Sequence, residues 1–384
     1  MSACQAQRRL GMDREANAKV QPLLQKLIDS GEEYGLQVAA YLDGELVIDT
    51  WAGVADRRTG RPVDGDTLFT CFSTSKGIVY GCIHLLAERG QLSYDDPVAK
   101  YWPEFAARGK ERVTIGHVLA DQAGVPQVPA GATPQDYCNW NYMCSAIADQ
   151  PLLWEPGKGV GYHGLTMGWI LGEVVRRVDG RPFAQFVQEE ICAPLRMREL
   201  YFGIPDEVED RVAWLEAAPP VEGGAAPGPL ASLAIPPHSE GMDGVFNRPD
   251  VRRACIPAAG GIVTARALAR YYASLVSEVD GFRLLPASRV AIATEFQTDD
   301  LDQVLNARIR RARGFWLAGP CMEELGTAPA SFGHDGAGGS VAYADYQHRF
   351  SIGFVKTRMA AKLDPTTTAS CQVCGLIRQL LGVE

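Results

Sequence analysis

Residues 71–90 read CFSTSKGIVYGCIHLLAERG. From Lys76 onward the run is apolar at helical density and stops at Gly90, so it predicts a helix. Ser73 stands three places before Lys76 at the mouth of that helix. One account makes Ser73 or Thr74 a cap and leaves Lys76 in solvent. A lone Ser-x-x-Lys match is common by chance, so the flanks must decide. Residues i and i+3 share a helix face, and LFTCF before the pair and GIVYGCIHLL after it are apolar. That face is therefore expected to be buried. A desolvated lysine loses proton affinity and can take the proton of a neighbouring serine. The Ser73 N–H, at the helix start, would face a developing oxyanion.

Acyl transfer needs a second proton carrier and a second oxyanion donor. The stretch WEPGKGVGYHGLTMGWILGEVV (154–175) offers Tyr162 between a glycine-rich turn and a helix. The stretch ASFGHDGAGGSVAYAD (330–345) offers His334, followed by Gly336, Gly338 and Gly339 at a strand start. Glycines there imply a close approach to backbone. Taken singly, the tyrosine also fits core packing and the glycines also fit a tight loop.

Around these motifs the chain has the pattern of an α+β fold. Val20, Leu23, Leu24, Leu27 and Ile28 recur at helical spacing within 14–30. LQVAAYLDGELVIDTWAGVAD (36–56) is a hairpin turning at Asp43-Gly44. GGSVAYADYQHRFSIGFVKTR (338–358) is a second hairpin, and TASCQVCGLIRQLLG (368–382) a closing helix. Distant hairpins with a helix at each end predict an antiparallel β-sheet flanked by N- and C-terminal helices. Between them, helical patterns dominate from residue 76 to about 200. The expected division is a sheet lobe of 1–72 and 255–384 and an inserted, mainly helical lobe of 73–254. Residues 217–241, rich in Pro, Gly and Ala, are expected to be an irregular lid or binding loop.

With 384 residues, one bilobed domain or two domains is expected. A net charge of −9 without a basic run argues against nucleic acid. The start MSACQAQRRLGMDREANAKV has no apolar signal core, and no apolar run is long enough to span a membrane. The ten cysteines show no framework spacing, so reduced thiols in the cytoplasm are expected. Cys371 and Cys374 form a lone C-x-x-C, and the six histidines show no ligand pairing. No metal and no cofactor is expected.

The ordered set Ser73-Thr74-Ser75-Lys76, Tyr162-His163-Gly164 and His334-Asp335-Gly336 resembles the serine β-lactamase and penicillin-binding-protein superfamily. Within it the chain looks like the class C-like branch, with family VIII carboxylesterases and related transacylases. The resemblance extends over nearly the whole chain, including GQLSYDDPVAKYWPEF, TIGHVLADQAGVP and GGIVTARALARYY. It implies a class C β-lactamase-like fold with Ser73 as acylated nucleophile, Lys76 as its activating partner and Tyr162 as proton shuttle. It further implies His334 and Gly336 as a pocket wall on the edge strand, and Ala337 N–H as partner of Ser73 N–H in the oxyanion hole. Gln122 falls where relatives place a polar side chain near the acyl group. Apart from the resemblance, Trp154, with Trp140, Tyr142 and Tyr162, is expected to offer aromatic surface to a flat or sugar-like acceptor.

Two departures bear on substrate. Gly164 stands where asparagine is usual, and His334 replaces a permanently charged lysine. Lys356-Thr357-Arg358 is not the K-T-G triplet and lies on the wrong strand. The expected substrate is a small-molecule ester, with water, an amine or an alcohol as acceptor. The alternatives are a D-amino-acid peptidase, a weak β-lactamase, or an inactive binding module of the same fold. Oligomeric state is not legible.

Overall fold

The computed structural model describes residues 3–218, 226–319, 326, 328–359 and 365–383. Seven strands form the main sheet: β1 (Gly35–Leu42), β2 (Glu45–Asp56), β3 (Arg61–Pro62), β4 (Trp316–Leu317), β5 (Ser331–Asp335), β6 (Val341–Asp345) and β7 (Phe350–Lys356). Their order is β3-β2-β1-β7-β6-β5-β4, antiparallel throughout. The β1–β7 pairing joins the two ends of the chain, with Leu36 opposite Lys356 and Leu42 opposite Phe350. Asp43 and Gly44 turn the first hairpin with φ of 54° and 81°, the paired positive values that a tight hairpin needs.

The helices that position the site are α1 (Ala3–Asp29), α2 (Lys76–Glu88), α3 (Thr166–Asp179), α4 (Ala265–Val276) and α5 (Ala369–Leu381). Side chains alternate across the pleat. Leu36, Val38 and Ala40 of β1, with Phe350, Ile352 and Phe354 of β7, pack on Val20, Leu24 and Leu27 of α1 and Val373 and Ile377 of α5. Ala39, Tyr41 and Val355 point the other way, into the core that holds Leu268 and Ala269 of α4. Burial on both faces explains why these strands read as nearly continuous apolar runs. Every residue of α2 from Lys76 to Ala87 is buried. A Cβ at Gly77 or Gly81 would fall 2.2 Å from the hydroxyl of Tyr272 or Tyr271. The two glycines thus let α2 lie directly against α4.

Three details differ from expectation. The first helix starts at Ala3 rather than near residue 14. His334 does not lie on the edge strand, because the two-residue β4 pairs outside β5. The segment 217–241 is not irregular throughout, although 219–225 lie outside the described residues. Glu216–Ala217 pairs in parallel with Arg358–Met359, and Ala231–Ala234 is a helical turn. Its apolar residues supply the reason: Ala234 is fully buried beside Tyr162, with Leu230, Ala231 and Ile235 packed against the same cluster.

Candidate active site

Ser73 sits in a 3-10 turn, Phe72–Ser75, that feeds directly into α2. Phe72 has a φ of 47°, a left-handed backbone that costs a non-glycine residue about 1 kcal/mol or more. Its ring is held edge-on to Phe246 at 5.0 Å. Neighbouring hydroxyls are occupied: Thr74 Oγ1 lies 3.0 Å from Ser340 Oγ, and Ser75 Oγ donates to Phe72 O at 2.6 Å. Thr74, Ser75 and Lys76 are buried, whereas Ser73 is partly exposed.

Lys76 is not solvated. Its Nζ donates to Ser73 Oγ at 2.9 Å, to Gly164 O at 2.7 Å and to Ala258 O at 2.9 Å. Burial lowers its pKa to about 7 against the opposing pull of Asp121, Asp335 and Cys71. Near neutral pH a large fraction is therefore free amine, able to take the Ser73 proton. The Nζ also lies 4.8 Å from the centroid of the Tyr162 ring. Burial drives the Tyr162 phenol far above its ordinary pKa, although its hydrogen bond with Ser73 pulls the other way. Tyr162 stays a neutral phenol that can pass a proton but not hold a phenolate charge at rest.

The remaining expected residues are distributed differently. Ser73 and Ala337 both line one cavity of about 350 Å³. Gly336 lies beneath them: a Cβ there would meet Cys71 O and Ser340 Oγ, each at 2.3 Å. Gly336 is not among the described lining residues of this cavity; its lack of a side chain lets the end of β5 reach the Ser73 turn. His334 is fully buried and is not among the described lining residues of this cavity either, being stacked 4.1 Å from Trp316 and 6.0 Å from Tyr162. Its Nδ1 bonds Asp335 O at 2.5 Å, and burial with the nearby Lys76 lowers its pKa to about 4. It carries no charge at neutral pH.

Gln122 and Trp154 are also absent from the cavity lining. Trp154 is taken up by the glycine-rich turn, its ring 2.7 Å from the Cβ position of Gly161. Trp140 donates Nε1 to Glu173 at 2.8 Å, and Tyr142 is exposed on a helix surface. The aromatic surface comes instead from Phe72, Tyr137 and Phe246, joined by Leu165, Ile235, Met242 and Val245. His238, 3.0 Å from the Tyr137 hydroxyl, is the one titratable imidazole among the described lining residues, and no lysine or arginine is among them. Lys356 is turned away into a buried ion pair with Glu33.

With this geometry in place, the comparisons are specific. The beta-lactamase family profile matches residues 20–369. The chain belongs to the beta-lactamase family. The Esterase/beta-lactamase LipL of Mycobacterium tuberculosis is 33% identical over 364 residues, covering 90% of this chain and 82% of LipL. Among solved structures, a penicillin-binding protein homologue from Caulobacter crescentus aligns with a TM-score of 0.85 at 33% identity, covering 94% of this chain and 97% of that one. A family VIII carboxylesterase matches with the same TM-score and coverage at 31% identity. The α+β fold, with its antiparallel sheet between terminal helices, is that of this family, whose members are serine hydrolases. Among the described residues no helix is long and apolar enough to cross a membrane.

Proposed function

We propose that this chain is a serine esterase that forms an acyl-Ser73 intermediate from a neutral, apolar ester. The observation that carries this is the Ser73 hydroxyl, bonded to a lysine of lowered proton affinity and opening into an apolar cavity without a lysine or arginine in its described lining. Lys76 takes the Ser73 proton as Oγ bonds to the ester carbonyl. The oxyanion is held between the N–H groups of Ser73 and Ala337. Tyr162 gives a proton to the departing alkoxide and is resupplied by Lys76. Water then attacks the acyl group, returning its proton through Tyr162 and Lys76 and releasing the acid.

The cavity also speaks to selectivity. Among the described lining residues a peptide or penicillin carboxylate meets no lysine or arginine, and His334 is neutral and buried. Esters without a free carboxylate are therefore preferred over D-amino-acid peptides and β-lactams. The test is a panel of p-nitrophenyl esters matched in size, with and without a terminal carboxylate. The neutral esters should lead by at least about tenfold in kcat/KM, the scale of one lost charge-assisted contact; equal rates would oppose the assignment.

A second reading, transfer of the acyl group to an amine or alcohol, rests on Ile235, Pro236 and Pro237, which wall the cavity beside Ser73. Such a wall limits water at the acyl-enzyme. Product partitioning that saturates with added acceptor would support it, whereas a linear rise common to every amine would leave simple hydrolysis.

A further inference from the structure

We infer that Arg311, clamped between Asp121 and Asp302, is the positioning residue that sets Tyr162 against the nucleophile. All three side chains are buried, Arg311 at 1%, Asp121 at 4% and Asp302 at 0% exposure. The guanidinium Nε donates to Asp121 Oδ2 at 2.9 Å, and its Nη2 bonds Asp302 Oδ2. Each carboxylate turns its other oxygen toward the irregular segment that carries the tyrosine. Asp302 Oδ1 accepts from Tyr162 N–H at 3.1 Å, and Asp121 Oδ1 accepts from His163 N–H at 3.1 Å. The Asp121 carbonyl accepts from Gly161 N–H at 3.0 Å. The next residue, Gly164, presents its carbonyl to Lys76. One buried cation thus fixes residues 161–164 in a single register, between the nucleophile's base and the phenol.

Burial favours this reading over a simple ion pair. Two buried carboxylates with one guanidinium leave a net negative charge close to Lys76. Asp121 is held at about 2, because His163 and Arg311 outweigh the burial that would raise it. The charged and titratable groups that act on Lys76 are Asp121, Asp335 and Cys71, with neutral His334 and Tyr162 beside it. Asp121 acts most strongly among the groups that sustain the lysine's remaining proton affinity. None of the three clamp residues lines the cavity, so substrate binding should not depend on them directly.

The inference rests on the esterase reading, and the experiment separates the two. Wild-type protein, Asp302→Asn, Asp302→Ala and Arg311→Lys are compared on one p-nitrophenyl ester, with folding checked by circular dichroism. Asp302→Asn keeps an acceptor oxygen for Tyr162 N–H; Asp302→Ala does not. Asp302→Ala and Arg311→Lys should lower kcat by roughly tenfold to hundredfold, the scale of a small misplacement in a catalytic centre. KM should stay within about twofold, and Asp302→Asn should recover much of the loss. Asp121→Asn should move the pH midpoint of kcat/KM downward, since a negative neighbour of Lys76 is removed. If one of Asp302→Ala and Arg311→Lys fails to fold, the other decides through kcat; if both fail, Asp121→Asn decides through the pH midpoint. Folded Asp302→Ala or Arg311→Lys with wild-type kcat, or folded Asp121→Asn with an unmoved midpoint, overturns the positioning role. A wild type that forms no acyl-enzyme overturns the esterase reading instead.

Discussion

Lys76 Nζ lies 2.9 Å from Ser73 Oγ and is enclosed by two backbone carbonyls rather than by a carboxylate. An ammonium so placed is costly, and its pKa of about 7 against an ordinary 10.5 corresponds to something on the order of 5 kcal/mol. Below that value the folded protein holds the proton on Lys76 and the base is blocked; above it the amine is free. Ester kcat/KM should therefore rise with pH through a midpoint near 7 and then level. A profile flat from pH 5 to 9, with chemistry rate-limiting, would contradict Lys76 as the base.

Tyr162 and Lys76 both bond to Ser73, which predicts that they act as a unit. Lys76→Ala and Tyr162→Phe should each lower kcat by about 10² to 10⁴. The double variant should be little worse than the poorer single one. Steady-state kinetics giving multiplicative losses would mean that Tyr162 only packs.

Gly336 carries a stability prediction. A methyl group there would collide with Cys71 O and Ser340 Oγ, neither of which is the free end of a flexible chain. Gly336→Ala should cost about 1–3 kcal/mol in denaturant unfolding. Esterase activity should fall with it, because β5 is pushed away from the Ser73 turn. Unchanged stability and rate would show that the contact is not needed.

For β-lactams, nitrocefin turnover should be far below ester turnover. Gly164→Asn alone should not restore it, since a Cβ at 164 would stand 2.8 Å from Ile235 Cγ1. Pairing it with Ile235→Ala makes room and should recover the stability lost in the single variant, as read by thermal unfolding. His334→Lys should destabilise the fold, because it places an ammonium among Tyr80, Tyr162 and Trp316. Rapid nitrocefin hydrolysis by the wild type would refute this account of selectivity.

Much of this was legible in the chain because the information was local. Ser73 and Lys76 are three residues apart, and Asp43-Gly44 marks its hairpin by backbone preference alone. What escaped depended on contacts between distant segments. Asp121, Asp302 and Arg311 meet across up to 190 residues, and no periodic pattern announces such a clamp. Strand β4 is two residues long, too short for alternation to register, so β5 was taken for the edge. The Pro/Gly composition of 217–241 hid Leu230, Ala234 and Ile235, whose spacing of four and five was the available sign of an anchored turn. Gln122 was expected near substrate by resemblance and Trp154 by its aromatic character; packing of the Trp154 ring on Gly161 decides its place.

The central claim is that Ser73 becomes acylated, and intact-mass spectrometry tests it most directly. Protein mixed with excess p-nitrophenyl ester and quenched in acid within the first turnovers should gain the mass of one acyl group. Peptide mapping should place the adduct between residues 71 and 90, and Ser73→Ala, still folded, should gain nothing. An adduct of the same mass that persists in Ser73→Ala, or that maps to another segment, would contradict the account.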